Sequence, residues 1–138
     1  MLAPAGDPEA SRLAHLLDAP LVPKGRRLLT LRPEVVLVRG PPSWLAHAAL
    51  VTTLVGAAAV IAVPLGPAEK LPWWERRFHR FLFASQAEAR AWSAAGLAMG
   101  RLVVVPPGAD AVERAALEAA IGEVRSMARR PDARRSAR

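Results

Sequence analysis

Four short apolar runs constrain the fold of this chain more than any other feature of its sequence. Each run is five or six residues long, and stretches of helical composition lie between successive runs. A strand that is buried on both faces is expected to be continuously apolar rather than alternating. Such strands, separated by helices, are typical of a parallel sheet that is covered on both sides. The predicted strands are 35–40, 58–63, 81–85 and 101–105.

Helix-start and helix-stop signals define the segments between these strands. Ser85 precedes an amphipathic segment and Glu88 follows three residues later, which is the pattern of a capping box. Gly96 closes the same segment in the position where many helices end. Asp110 is predicted to cap a long final helix, with Glu113 placed for a second capping box. The predicted helices are 8–17, 43–55 with Ser43 as N-cap, 74–81, 86–95 and 111–129.

These elements predict an α/β fold, a three-layer sandwich around a short, mainly parallel four-stranded sheet, equivalent to a partial Rossmann-like domain. With 138 residues, of which 52 % are hydrophobic, the chain is long enough for one ordinary domain. We expect an N-terminal helical and loop segment at 1–27 and the α/β domain with its final helix at 28–129. The remaining segment, 130–138, is rich in arginine and is predicted to be a disordered basic tail.

Composition excludes several classes of site. The chain has no cysteine, which excludes a disulfide framework, a thiolate zinc site and a cysteine nucleophile. It has neither a glycine-rich phosphate loop nor a metal-ligating histidine motif, so the sequence predicts no metal and no cofactor. The net charge of +7 would suit nucleic acid, an anionic membrane or a phosphate-bearing substrate. No recognised nucleic-acid-binding motif surrounds the basic residues, so nucleic acid is not a predicted partner.

One uncharged stretch, 44–63, is about long enough to be considered as a membrane span. It is rich in alanine, and basic residues flank it on both sides, which gives no orientation signal. Its first part has the composition of a helix and its second part that of a strand, so we expect a helix followed by a strand. One continuous helix would instead indicate a membrane protein. The N-terminus lacks the features of a signal peptide, which predicts a cytoplasmic location.

Two segments in a fixed order, FLFASQAEARAWSAAGL and RLVVVPPGAD, carry the most specific pattern. In the first, a strand ends in serine, a helix carries an acidic residue, and a glycine ends the helix. In the second, a strand runs into a proline-glycine turn that ends in aspartate. Together with the upstream segment LRPEVVLVRGPP, this order resembles the GT-B glycosyltransferases of the family 4 type, over about residues 28–110. The matching positions are Pro33, Glu34, Val36, Val38, Gly40, Ser85, Glu88, Gly96, Pro107, Gly108 and Asp110.

The resemblance implies the transfer of a sugar from a nucleotide sugar to an acceptor. It covers half of the acceptor-side domain, and the donor-binding domain of the family has no counterpart in this sequence. It therefore implies a chain that needs a partner chain with the donor domain or lacks activity alone, and nucleotide sugar would bind only where the donor site is completed. It does not identify the catalytic residues. Ligands of such sheets bind beyond the carboxyl ends of the strands, and the expected acceptor or interface residues are Arg39, Gly40, Ser85, Gly108 and Asp110.

Two further expectations concern the backbone conformation of Gly108 and the exposed edges of the sheet. Gly108 follows two prolines and is predicted to adopt a positive φ. A sheet of only four strands exposes an edge strand, which predicts a partner chain or a homo-oligomer.

A basic and aromatic segment at 70–81 carries the second functional prediction. This mixture of residues suits a lipid headgroup interface, at the inner face of the membrane. The alternative is that Phe78, Phe81 and Leu82 pack in the core while the arginines are solvated. The predicted alternative function is a non-enzymatic, membrane-associated or partner-binding α/β module. Its membrane-contact candidates are Trp73, Trp74, Arg76, Arg77 and Arg80.

Overall fold

The computed structural model describes residues 1–24, 27–66, 70 and 72–128. Its four-stranded sheet is parallel in every strand pair, and the strands lie side by side in chain order. The strands are β1 (Val35–Gly40), β2 (Ala59–Pro64), β3 (Arg80–Phe83) and β4 (Leu102–Val104). The helices are α1 (Pro8–Leu16), α2 (Leu28–Leu31), α3 (Pro42–Val55), α4 (Gln86–Ala94) and α5 (Asp110–Ala128), with 3₁₀ helices at Trp73–Arg77 and Met99–Arg101. The predicted basic tail, 130–138, lies outside the described residues.

Helices cover both faces of the sheet because alternate residues of each strand point in opposite directions. On one face, Val36 and Phe81 pack in a buried cluster with residues of α3 and α4. On the other face, Leu37 and Leu82 pack in a second cluster with residues of α1 and α5. The predicted α/β three-layer fold around a short parallel sheet is therefore confirmed.

The largest difference from the predicted elements lies before β3. The segment expected to be a helix over 74–81 is a 3₁₀ helix that ends at Arg77. The backbone then becomes extended, because the N–H of His79 donates to the carbonyl of Val60 at 2.8 Å and draws the chain into the sheet. α3 also begins one residue earlier than predicted. Pro42 occupies its first turn and Pro41, not Ser43, is its N-cap residue; proline suits the first turn because the N–H it lacks has no partner there.

The uncharged stretch 44–63 is confirmed as a helix followed by a strand. α3 ends at Val55, and Gly56 caps it with a left-handed φ of 76°. The chain then enters β2 at Ala59. Within the described residues, no helix is long and apolar enough to cross a membrane.

The N-terminal residues cover the outer edge of β1. Leu2 is fully buried; its N–H donates to the carbonyl of Leu37 at 2.7 Å, and its carbonyl accepts from the N–H of Arg39 at 3.0 Å. Leu2 also pairs with Val22 on its other side. At one of the two sheet edges, Leu2 therefore occupies part of the backbone that β1 would offer to another chain. The opposite edge strand, β4, has only three residues, so it offers little backbone for pairing with another chain.

Candidate functional site at the carboxyl edge of the sheet

The residues predicted to contact an acceptor follow the carboxyl ends of three strands. Arg39 and Gly40 end β1, Ser85 follows β3, and Gly108 and Asp110 lie between β4 and α5 or at the start of that helix. Because the strands are parallel, their carboxyl ends lie along the same edge of the sheet. The structure therefore brings these residues to one edge. The contacts of each side chain determine whether it is available to bind a ligand.

Arg39 is held by an acidic residue that the sequence did not single out. Its Nε donates to Oδ2 of Asp7 at 2.9 Å, and the two side chains are 16 % and 14 % exposed. The other carboxylate oxygen of Asp7 accepts from the backbone N–H groups of Glu9 and Ala10 and caps α1. One carboxylate thus fixes both the start of α1 and the guanidinium at the end of β1.

A second arginine joins α1 to α5. Arg12 donates to the carboxylate of Glu113 at 2.9 and 2.7 Å, and to Glu9 at 2.6 Å. The hydrogen bond to Glu113, followed by that to Glu9, raises the pKa of the Arg12 guanidinium above its usual value. The hydrogen bond from Arg12 lowers the pKa of Glu9. Glu113 is buried in this contact, so it binds the arginine of another helix and does not form the predicted capping box.

Sequence reasoning missed this group of Asp7, Glu9, Arg12 and Glu113. The spacing of Glu9 and Arg12, three residues apart on one helix, is a visible signal of an ion pair. No local signal identifies the partner across the fold, because Arg12 and Glu113 are 101 residues apart in sequence.

The turn into α5 differs from the prediction at Asp110 and Gly108. Asp110 is the first residue of the helix, and the carbonyl of Ala109 accepts from the N–H of Glu113, so Asp110 is not the N-cap residue. Its carboxylate lies in the first turn, where negative charge favourably opposes the helix dipole. Gly108 is not among the glycines with positive φ, and a Cβ on it would meet no atom within 4 Å. At position 108, therefore, neither the backbone φ nor the surrounding space requires a glycine.

Ser85 caps α4 as predicted, but Glu88 does not complete the predicted capping box, because its carboxylate accepts from the residue before the N-cap residue. Oγ of Ser85 accepts from the N–H of Glu88 at 3.3 Å, while Oε2 of Glu88 accepts from the N–H of Ala84 at 3.3 Å. Gly96, with a φ of 115°, follows the end of α4 as predicted. The Ser85 hydroxyl therefore has a structural role at the start of α4, which is sufficient to explain a serine at this position.

At Gly40, any larger residue would force the neighbouring Trp44 side chain to move. A Cβ on Gly40 would lie 2.4 Å from Cδ1 of Trp44, because α3 begins directly after β1 and places the indole over the glycine. This close approach explains the glycine without reference to a ligand.

We expect Gly40→Ala to lower the free energy of unfolding by about 2 kcal/mol, because the new methyl group must displace the Trp44 indole. Urea unfolding followed by circular dichroism measures the change. Gly108→Ala is the matched control and should cost less than about 0.5 kcal/mol, since its Cβ enters open space. Equal effects of the two substitutions would contradict the steric explanation.

A small crevice lies at this edge between α1 and α5. Its volume is about 60 Å³, and its lining combines apolar side chains with Arg39, Glu9 and Glu113. Pockets that bind small molecules usually measure about 300–1,000 Å³. The crevice is therefore too small to hold a nucleotide sugar by itself, and its charged side chains are already paired.

The Glu9–Arg12 pair predicts a dependence of stability on pH. Because the pKa of Glu9 is lowered on folding, the pair stabilises the folded chain above the ordinary glutamate pKa of about 4.3, and the contribution is lost as the pH falls through the folded value. The side chain of Glu9 is 40 % exposed, so we expect Glu9→Gln to cost only about 0.5 kcal/mol at pH 7 and less at pH 3. Urea unfolding at both values tests this. The same loss at pH 3 as at pH 7 would contradict it.

The basic and aromatic segment divides between core and solvent. Trp74 is buried and packs edge to face on Phe78, with the ring centroids 5.6 Å apart. Phe78 in turn packs on Phe81 at 5.7 Å. Trp73, the neighbouring residue, is 76 % exposed. The two phenylalanines and Trp74 therefore pack in the core, as the alternative expected of the phenylalanines, whereas Trp73 lies at the surface.

The arginines of the same segment also differ in their surroundings. The side chain of Arg76 is 91 % exposed. Arg77 donates to the carbonyl of Ala57 at 3.1 Å, and burial lowers the pKa of its guanidinium. Arg80 pairs with Glu123 of α5 at 2.8 Å and is itself 12 % exposed. Among the five membrane-contact candidates, Trp73 and Arg76 are thus the two with largely exposed side chains.

The comparisons with known proteins identify no relative of this chain. No family model matches it, and searches of the curated proteins and of the solved structures found no match. In the part of the chain that the structure describes, no group of three or more His, Asp and Glu residues is arranged to hold a metal ion.

Proposed function

We propose that this chain supplies the acceptor-side part of a nucleotide-sugar-dependent glycosyltransferase of the GT-B type, and that a partner chain supplies the donor-binding domain. The observation that carries the proposal is the order of elements from β3 to α5. Ser85 leads from β3 into α4, Gly96 follows that helix, and a proline-glycine turn joins β4 to α5. The resemblance implies this order for that family, and the two strands concerned are parallel neighbours here.

The charges at the carboxyl edge favour binding over catalysis by this chain alone. A general base must be able to take a proton from an acceptor hydroxyl. Asp7, Glu9 and Glu113 are each paired with an arginine, so these three carboxylates are occupied by contacts within the chain. A partner that docks at this edge would add both the missing volume and the donor site.

Arg39 is the residue to which we assign acceptor binding. Its guanidinium lies at the end of β1, where ligands of parallel sheets bind, and its present partner is the carboxylate of Asp7. A phosphate or carboxylate on an acceptor would make the same charge-assisted hydrogen bonds as Asp7 does. The proposed acceptor is therefore an anionic one.

The test combines thermal unfolding with partner capture. The purified chain is heated with a panel of nucleotide sugars, alone and in complex with proteins captured on the immobilised chain. We expect no stabilisation of the chain alone, and both stabilisation and sugar transfer by the complex. Arg39→Gln should reduce transfer to an anionic acceptor by at least tenfold in that complex. A captured partner that binds no nucleotide sugar, or stabilisation of the chain without a partner, would overturn the proposal.

The second candidate function, a non-enzymatic membrane-associated or partner-binding module, is favoured by the outward face of α3. Leu50 and Leu54 on this face are 56 % and 84 % exposed. α3 carries no charged residue, and it contacts the 3₁₀ helix that bears the exposed Trp73 and Arg76. Exposed apolar surface flanked by basic residues is typical of an interaction surface.

Vesicle binding and solution mass distinguish this candidate from the first. If it is correct, the chain co-sediments with phosphatidylserine-containing vesicles or self-associates, and the double variant Leu50→Ser, Leu54→Ser does neither. Both leucines are exposed, so the variant should unfold at nearly the same temperature as the unmodified chain. A chain that stays monomeric by light scattering and stays in the supernatant with such vesicles would contradict it.

A further inference from the structure

A second, larger cavity lies between α5 and β1, on the sheet face that α1 and α5 cover. Its volume is about 430 Å³, and Val35, the first residue of β1, lines it. It therefore lies toward the end of β1 opposite the carboxyl edge. This volume falls within the usual range for small-molecule pockets, about 300–1,000 Å³, whereas the crevice at the carboxyl edge falls below it.

The lining of this cavity is amphipathic. Val35 and Leu37 of β1, together with Ile121 of α5, provide apolar surface. Glu118 and Arg125, also on α5, provide charged groups. The lining therefore offers polar and apolar surface in about equal parts, which suits a small molecule that has both a polar and an apolar part.

Gly122 supports a role for the open space. It lies inside α5, a 19-residue helix, where glycine is about 1 kcal/mol less favourable than alanine. It is not among the glycines with positive φ, and a Cβ on it would meet no atom within 4 Å. Neither the backbone conformation nor close packing explains the glycine. Its effect on the structure is to leave the wall of the cavity free of a side chain.

The ion pairs around the cavity indicate which charge is available to a ligand. Glu118 pairs with Arg114 one turn earlier on α5, at 3.1 Å. Nε of Arg125 lies 3.5 Å from Oε2 of Glu34, and these side chains are 45 % and 38 % exposed. That distance is longer than an ordinary hydrogen bond, and an exposed pair of this kind contributes little stability. The Arg125 guanidinium is therefore a group in the lining that an incoming anion can engage.

We propose that this cavity binds a small amphiphile with a carboxylate head and an apolar body. The carboxylate pairs with Arg125, and the apolar body lies over Gly122 against Val35, Leu37 and Ile121. The proposal is independent of the proposed glycosyltransferase function, because it uses none of the proposed acceptor residues. Leu37 is a lining residue that this cavity and the crevice at the carboxyl edge share.

The primary test is a titration with decanoate below its micelle concentration, observed at the isoleucine δ1-methyl groups by NMR. The chain has two isoleucines, Ile61 and Ile121. Ile121 lines the cavity, whereas Ile61 is fully buried in β2 and does not. We expect the Ile121 signal to shift saturably while the Ile61 signal moves little. An unchanged Ile121 signal, or equal shifts at both residues, would overturn the proposal.

Two substitutions separate the roles of space and charge. Gly122→Phe should fill the cavity and abolish decanoate binding, whereas the control Gly122→Ala should retain it and raise the unfolding temperature. Arg125→Gln should weaken decanoate binding about tenfold, the loss of a charge-assisted hydrogen bond, without changing the binding of decan-1-ol. A folded Gly122→Phe variant that binds decanoate as the unmodified chain does would overturn the proposal. If that variant does not fold, the Arg125→Gln comparison decides, and equal loss for acid and alcohol would overturn it.

Discussion

Replacing Trp92 with alanine is expected to lower the free energy of unfolding by about 4 kcal/mol. Trp92 is 2 % exposed and anchors α4 to the sheet. Its ring contacts Phe81 and Phe83 of β3, with centroid distances of 5.6 and 6.1 Å. Its Nε1 also donates to the carbonyl of Gly66 at 3.3 Å, which ties the end of the β2 region to α4. The substitution removes both a large buried side chain and this link.

Urea unfolding followed by circular dichroism measures this effect. Trp73→Ala is the matched control, because it deletes the same side chain from a site that is 76 % exposed. We expect it to cost less than about 0.5 kcal/mol. Similar losses at the two tryptophans would mean that α4 does not pack on β3 as described.

Replacing Arg101 with alanine is expected to cost about 3 kcal/mol, because it leaves a buried carboxylate without its principal partner. Arg101 donates to the Glu75 carboxylate and to the backbone carbonyls of Glu75 and Phe78. Its guanidinium also lies over the ring of Phe81, 5.4 Å from the centroid. Glu75 is 8 % exposed. One side chain thus joins the start of β4 to the 3₁₀ helix before β3.

The chain offers a matched control in Arg76, whose Nε lies 3.8 Å from the same Glu75 carboxylate but whose side chain is 91 % exposed. Arg76→Ala should cost less than about 0.5 kcal/mol. Adding Glu75→Gln to Arg101→Ala should recover part of the loss, since a buried amide is less costly than an unpaired carboxylate. Absence of any recovery, measured by urea unfolding, would show that the loss comes from packing and not from the buried charge.

Local signals were sufficient to predict the elements at the centre of the fold. The apolar runs predicted four strands, and all four are present within about two residues of their expected limits. Ser85, Glu88 and Gly96 predicted the start and end of α4, because capping involves residues that are close in sequence. The helix expected over 74–81 was wrong in its second half, because hydrogen bonds to β2 outweighed local preference there.

In the candidate sites too, features that depend on local sequence could be predicted, whereas contacts between distant residues could not. Parallel strands made it possible to expect Arg39 at the carboxyl edge from sequence alone. Its pairing with Asp7 was not predictable, because the two residues are 32 positions apart and belong to different elements. The cavity beside Gly122 could not be predicted either, because it is formed by α5 and β1 together with the turn after α1.

The amino-acid sequence by itself determined the fold class, the number of strands and their positions along the chain, and the ends of several helices. These properties depend on hydrophobic runs and capping residues, whose effects extend over only a few positions. The tertiary structure alone decided that Trp74 is buried and Trp73 exposed, that Glu113 binds Arg12, and that α5 leaves a cavity against β1. Those outcomes depend on which elements pack together, and burial and ion pairing between distant residues are established only by that packing.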